Sequence, residues 1–172
     1  IEQTNAQIEQ AQSRYDLEKA AELKYGVLPG LQKQLAEAEK AAADRRVAAV
    51  MIQRSRGYED RKALSVAEIG RICDIVHRVN PEASIMVDNC YGEFTDVIEP
   101  TQVGADIIAG SLIKNPGGGI APTGGYIAGK AELVERAAMR LTTPGIGGEC
   151  GSTLGNNRLL FQGLFIAPHT VA

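Results

Sequence analysis

The chain has 172 residues, with 18 Lys and Arg against 21 Asp and Glu and a formal charge of -3. No stretch supplies the basic excess that nucleic acid or an anionic membrane surface requires, and none approaches the ~18 consecutive apolar residues of a membrane span. Cys73, Cys90 and Cys150 lie too far apart for a disulfide framework or a CxxC site, and His77 and His169 have no ligand spacing, so no catalytic metal is expected.

Composition changes near residue 46 and divides the chain into two pieces, 1–46 and 47–172. Residues 1–46 hold only Gly26 and Gly30 of the 19 glycines, and none of the three phenylalanines. They read as a solvated helical arm. Ile8, Ala11 and Tyr15, then Leu28, Leu31, Leu35 and Ala38, recur at steps of three and four and form an apolar stripe that wants a partner helix. Between them, Tyr25-Gly26-Val27-Leu28-Pro29-Gly30 combines the residues that most weaken a helix, which predicts a hairpin turning there.

Beyond the seam, apolar runs alternate with amphipathic stretches. Val47 to Ile52 is a short run suited to burial on both faces of a parallel sheet. Ser65 and Glu68 have capping-box spacing and start a helix through Ile69, Ile72, Ile75, Val76 and Val79, which Asn80-Pro81 ends. Strands are predicted at 84–87, 105–109 and 125–128, and a helix at 131–141. The fold class is therefore α/β, a mostly parallel sheet with flanking helices. Ligands of such sheets collect beyond the carboxyl ends of the strands.

The unusual residues sit there. Asp88 to Tyr91 in VDNCYGEF, Ser111 to Lys114 in GSLIKNPGGG, and the glycine-rich run to Gly125 follow three apolar segments. A lysine after an apolar strand can be desolvated, which lowers its pKa and frees an amine for imine formation. Taken alone, such a lysine is more often a surface residue, and a carboxylate ending a strand often caps the next turn. Taken together, the amine, the carboxylate and hydroxyl or backbone donors match what pyridoxal phosphate needs at its aldehyde, ring nitrogen and phosphate. Gly124 to Lys130 has P-loop spacing, but Ala131 replaces the magnesium-binding hydroxyl and the interior reads as strand, so nucleotide binding is not expected. Arg54, Arg56 and Arg61 read as surface-loop residues in preference to an anion site.

From about residue 47 onward the sequence resembles the aluminium resistance protein, or methionine gamma-lyase-like, family of fold-type I pyridoxal-phosphate enzymes. The motifs carrying the resemblance are MIQRSRGY, VDNCYGEF, GADIIAGSLIKNPGGGIAPTGGYIAG and RLTTPGIGGECG. The resemblance implies that Lys114 forms the internal Schiff base with pyridoxal 5'-phosphate and shuttles the substrate α-proton. It implies that Asp88 pairs with the pyridine nitrogen, Ser111 donates to the phosphate, and Tyr91 brings a phenol to the ring oxygen. Gly117, Gly118 and Gly119 would let backbone approach the cofactor or a neighbouring subunit. The implied reaction is carbon-sulfur lysis of a small sulfur-containing amino acid, in a homo-oligomer, within the cytoplasm or an organelle stroma or matrix.

Residues 1 to about 40, with YDLEKAAELKYGVLPGLQKQLAEAEK, resemble the coiled-coil middle domain of ClpB-type disaggregase chaperones. This implies a coiled-coil partner for residues 1–46, and its limiting alternative is a noncatalytic interaction fragment. The second piece resembles only part of a fold-type I large domain, and the first residue is not methionine. The expectation is a truncated enzyme, inactive or weak in isolation, whose two segments were joined by fusion or by a misassembled reading frame.

Overall fold

The computed structural model describes residues 1–141, 145–151, 153 and 155–171. Contacts divide the chain into two compact units, Ile1–Asp44 and Arg45–Ala172.

The first unit is a helical hairpin of α1 (Glu2–Ser13), α2 (Leu17–Ala21), a π-helical segment (Glu22–Val27) and α3 (Leu28–Ala42). Its turn lies at residues 14–16, not at 25–30 as expected. Tyr15 takes a left-handed backbone (φ 57°) and is 88% exposed, so it leaves the stripe, and the Asp16 side chain accepts the Lys19 N–H at 3.1 Å to start α2. The Gly26-Pro29-Gly30 region stays helical. Pro29 falls in the first turn of α3, where a missing N–H and a fixed φ are tolerated, and the wider π turn precedes it. Ile8 and Ala11 of α1 and Ala20 of α2 are buried, whereas Leu35 on α3 is exposed.

The second unit is a four-stranded sheet in the order β1 (Ala49–Gln53), β2 (Ser84–Asp88), β3 (Ile107–Ser111), β4 (Gly125–Gly129). The first three strands are parallel and β4 is antiparallel to β3. Helix α4 (Val66–Val79) links β1 to β2 and begins with a complete capping box: Ser65 Oγ accepts the Glu68 N–H at 3.2 Å, and Glu68 Oε2 accepts the Ser65 N–H at 2.8 Å. Helices α5 (Ala131–Leu141) and α6 (Asn157–Val171) follow β4. The sequence did not anticipate α6, and β3 begins two residues later than expected.

Side-chain alternation along the strands sorts residues into two faces. Ile52, Val87 and Ile108 share one row and, with Ile85, pack against Ile69, Cys73 and Val76 of α4 to form the core. The next row toward the carboxyl ends on that same face holds Arg54, Asn89, Gly110 and Tyr126. Gln53, Asp88 and Ala109 form a row on the opposite face, and the following row there contains Cys90 and Ser111. Neighbours in sequence therefore serve different faces.

Candidate functional site

Asp88 ends β2 and Ser111 ends β3, so the two parallel strands deliver both residues to the same edge and the same face of the sheet. After Ser111 the chain turns at once: the Lys114 N–H donates to the Ser111 carbonyl at 3.2 Å, and a short 3-10 turn over Asn115–Gly117 follows. This returns Lys114 over the end of β2. Its ammonium lies 4.3 Å from the centroid of the Tyr91 ring and also meets the Cys90 thiol. Tyr91 is presented by a left-handed backbone (φ 66°), an uncommon conformation for an aromatic residue and one that marks a constrained turn.

Asp88 Oδ1 accepts the Cys90 N–H at 3.1 Å, so the carboxylate does cap its turn, and the Cys90 thiol hydrogen-bonds to the same side chain. Burial, then the neighbouring Asp88 carboxylate, pushes the Cys90 thiol up, keeping it neutral. Asp88, Tyr91, Ser111 and Lys114 thus gather at one edge, with Cys90 between the acid and the amine. The hydroxyl of Ser111 has no hydrogen-bond partner among the described residues. A cavity of about 600 Å³ opens beside this group, lined by Arg56, Leu64, Ser65, Cys90 and Tyr91 among others.

Three expectations need correction. Burial presses the Lys114 pKa down, but Cys90 and Tyr91 outweigh it and the amine sits above its ordinary value, so desolvation does not free it. Gly117 and Gly118 make room for α6: a Cβ on Gly118 would lie 2.5 Å from the Gly163 carbonyl, and one on Gly163 would lie 2.3 Å from that of Gly117. Arg54 is 3% exposed and belongs to no surface loop.

Arg54 anchors a polar layer on the α4 side. Its guanidinium donates to Leu64 O (3.3 Å), Asn89 Oδ1 (2.8 Å), Thr95 Oγ1 (3.2 Å) and Asp96 Oδ2 (3.2 Å). Gly92 crosses above it, where a Cβ would fall 2.3 Å from Arg54 Cδ. Asn89 donates to Glu99 Oε2 (2.9 Å) and to the Tyr126 hydroxyl (3.1 Å), which in turn donates to Glu93 Oε1 (2.8 Å). Sequence reasoning missed Arg54, Asn89, Cys90, Glu93 and Tyr126 as site-building residues, although all lie within the quoted motifs. The available signal was a polar residue, Arg54 or Asn89, following the first two apolar strand runs on the core-facing phase. Arg61 serves locally, donating to the carbonyls of Gln53 (3.1 Å) and Ser55 (2.6 Å).

A family model described as Methionine gamma-lyase matches residues 9–172. The chain belongs to that family. It is 56% identical over 134 residues to a 33.9 kDa protein in the glnA 5' region of Lactobacillus delbrueckii subsp. bulgaricus, which covers 78% of this chain and 44% of that protein. The solved structure of a carbon-sulfur lyase involved in aluminum resistance from Clostridium novyi NT is 55% identical, with a TM-score of 0.72 over 78% of this chain and 32% of that one. The chain therefore spans less than half the length of either relative. Over 40 residues, 23% of the chain, it is also 60% identical to the chaperone protein ClpB4, mitochondrial, of Arabidopsis thaliana, 4% of which is matched. No helix among the described residues is long and apolar enough to cross a membrane. Residues 142–144, within the last quoted motif, lie outside the described residues.

Proposed function

We propose that the α/β unit carries the pyridoxal 5'-phosphate site of a carbon-sulfur lyase acting on a small sulfur-containing amino acid, working in the cytoplasm. The observation that supports it best is the convergence of Lys114 and Asp88 on one thiol, Cys90, at the carboxyl ends of two adjacent parallel strands. The donor set fits the cofactor. Lys114 would hold its aldehyde carbon, Asp88 its ring nitrogen and Ser111 its phosphate, while the Tyr91 phenol stands over the amine. When bound, the cofactor supplies an electron sink for charge left at the substrate α-carbon.

The residues of this chain then act as binders and proton holders. Asp88 would hold the ring nitrogen with a carboxylate whose Oδ1 is fixed by the Cys90 N–H in one orientation. Lys114 waits as an ammonium, held so by Cys90 and Tyr91, and must shed a proton from Nζ before it can act as a nucleophile. Loading is therefore expected to quicken as pH rises toward its elevated value. In its neutral form the Lys114 Nζ would be the group to take the substrate α-proton.

Equilibrium titration tests the assignment. Wild type should bind pyridoxal phosphate saturably, and Lys114→Ala and Asp88→Asn should each weaken binding by about tenfold or more, equivalent to about 1.4 kcal/mol. Equal affinity in all three proteins would sink it. A second reading, a coiled-coil partner for the hairpin, is favoured by the exposed Leu35 on α3 and by the short identity to a ClpB chaperone.

A further inference from the structure

Glu93 is the one buried side chain among the described residues with an oxygen that lacks any hydrogen-bond partner: Oε2 is unpaired while the residue is 4% exposed. The direction of the polar chain around it is fixed. The Asn89 amide can only donate to the Tyr126 oxygen, so the Tyr126 hydroxyl spends its proton on Glu93 Oε1. At its other end Glu93 offers its main-chain carbonyl to the Asn115 side chain at 3.1 Å, and Asn115 directly follows Lys114. Tyr126 stands opposite Gly110 in the β3–β4 register, and a Cβ on Gly110 would lie 2.4 Å from both Glu93 Oε1 and the Tyr126 ring. The absence of a side chain at Gly110 is therefore what admits the carboxyl.

We propose that Glu93 is a positioning residue that braces the Asp88–Tyr91 turn against the Lys114 turn, with its carboxyl seated on Tyr126 and its carbonyl on Asn115. The inference rests on the cofactor reading only in regarding these two turns as cofactor-bearing. The brace works with Glu93 as a neutral acid. Ionised, it would leave the buried Oε2 charged without a partner, and Arg54, the cation that faces it among the described residues, is already engaged by Asn89, Asp96 and Glu99. Tyr126 faces it from β4 and Glu99 from the following turn. Burial, reinforced by the Glu99 charge, pushes its pKa up against the opposing pull of its own backbone N–H, of Tyr126 and of Arg54. The acid and the amine thus sit on one face of the sheet while the residue that spaces them is locked on the other.

Hydrogen exchange on the full chain, without cofactor, reads the brace directly at residues 88–95 and 111–118. Glu93→Ala should speed exchange in both segments by about tenfold or more while α4 keeps its protection, and Glu93→Gln, which keeps the acceptor and the shape, should stay within about twofold of wild type. Gly110→Ala, which leaves the acid in place but takes its space, should reproduce Glu93→Ala. Should the alanine variant unfold, Tyr126→Phe removes one hydroxyl from the same chain and carries the comparison. In parallel, pyridoxal phosphate affinity should fall about tenfold or more in Glu93→Ala and be restored in Glu93→Gln. Wild-type exchange rates in both turns of Glu93→Ala and Tyr126→Phe would overturn the inference, as would a glutamine variant as open as the alanine one. A wild type that binds no cofactor, with both turns still opening in Glu93→Ala, would refute the cofactor reading and leave the brace standing.

Discussion

Two buried acids stand at opposite ends of the same sheet. Asp106, at the amino end of β3, is 5% exposed. It accepts the Ile85 N–H at 2.6 Å, pairs with Lys130, and has His77 at 3.8 Å. Burial pushes its pKa up, but Lys130 and the Ile85 amide outweigh burial and hold the carboxyl below its ordinary range. Glu93, at the carboxyl end, is as deeply buried and has one phenol for a partner. Equal depth gives pKa shifts of opposite direction because the partners differ. At the amino end the buried Asp106 is compensated by Lys130 and the Ile85 amide, whereas the carboxyl end gathers a hydroxyl, an orphan carboxyl oxygen and a cationic amine. That asymmetry is what marks a site.

The largest expected effect comes from removing the cation that organises the carboxyl end. Arg54→Met would take the buried guanidinium away from Asn89, the half-buried Glu99 and the exposed Asp96, and should cost about 1–3 kcal/mol in urea unfolding of the α/β unit, mainly from the unsatisfied Asn89 acceptor. A cost below about 1 kcal/mol would mean the layer is wet and weakly coupled.

A subtler test follows stability against pH. The depressed value of Asp106 means the unfolded state binds more protons in the acid window, so its stabilisation is present above its unfolded value and lost as pH falls through the folded one. Glu93 has the opposite sign: its stabilisation is complete below the unfolded value of a glutamate and is lost as pH rises through the raised folded value. Each slope is at most about 1.4 kcal/mol per pH unit. Asp106→Asn should flatten the acid limb alone and Glu93→Gln the limb above it alone, as measured by unfolding midpoints across pH. If either variant flattens both limbs, the two ends are not independent.

The smallest effect comes from the start of α4, on the rim of the cavity. Ser65→Ala removes the cap of α4 and should cost about 1 kcal/mol, leaving the Glu93 limb of the pH profile in place while relaxing the lowered Glu68 value that the Ser65 hydroxyl helps to hold.

Much of the fold was legible where a local rule has a local cause. Ser65 and Glu68 satisfy each other's backbone amides three residues apart, and the 84–88 and 125–129 runs alternate within a few residues, so nothing distant is needed to place them. The residues proposed to hold the cofactor drew attention by their order after strands. The direction of the Lys114 pKa shift was not legible, because the effect of Cys90 and Tyr91 on it depends on a turn that sequence spacing does not reveal. Arg54 was read as a loop residue because its partners Asn89, Thr95 and Asp96 lie 35 to 42 residues away. Helix α6 escaped notice because it lacks a single apolar face: Phe161, Leu164 and Phe165 are exposed, and Gly163 and Pro168 interrupt its pattern. The hairpin turn was displaced because Gly26 and Pro29 are ordinarily breakers, and a π-helical turn absorbed them.

The account turns on a single amine. Borohydride reduction of the full chain mixed with pyridoxal phosphate, followed by peptide mass mapping, asks where the cofactor is fixed. The expected result is one predominant modified lysine, Lys114, with labelling lost in Lys114→Ala and reduced in Asp88→Asn. Labelling spread over exposed lysines such as Lys33, with Lys114 modified no more than they are, would contradict it.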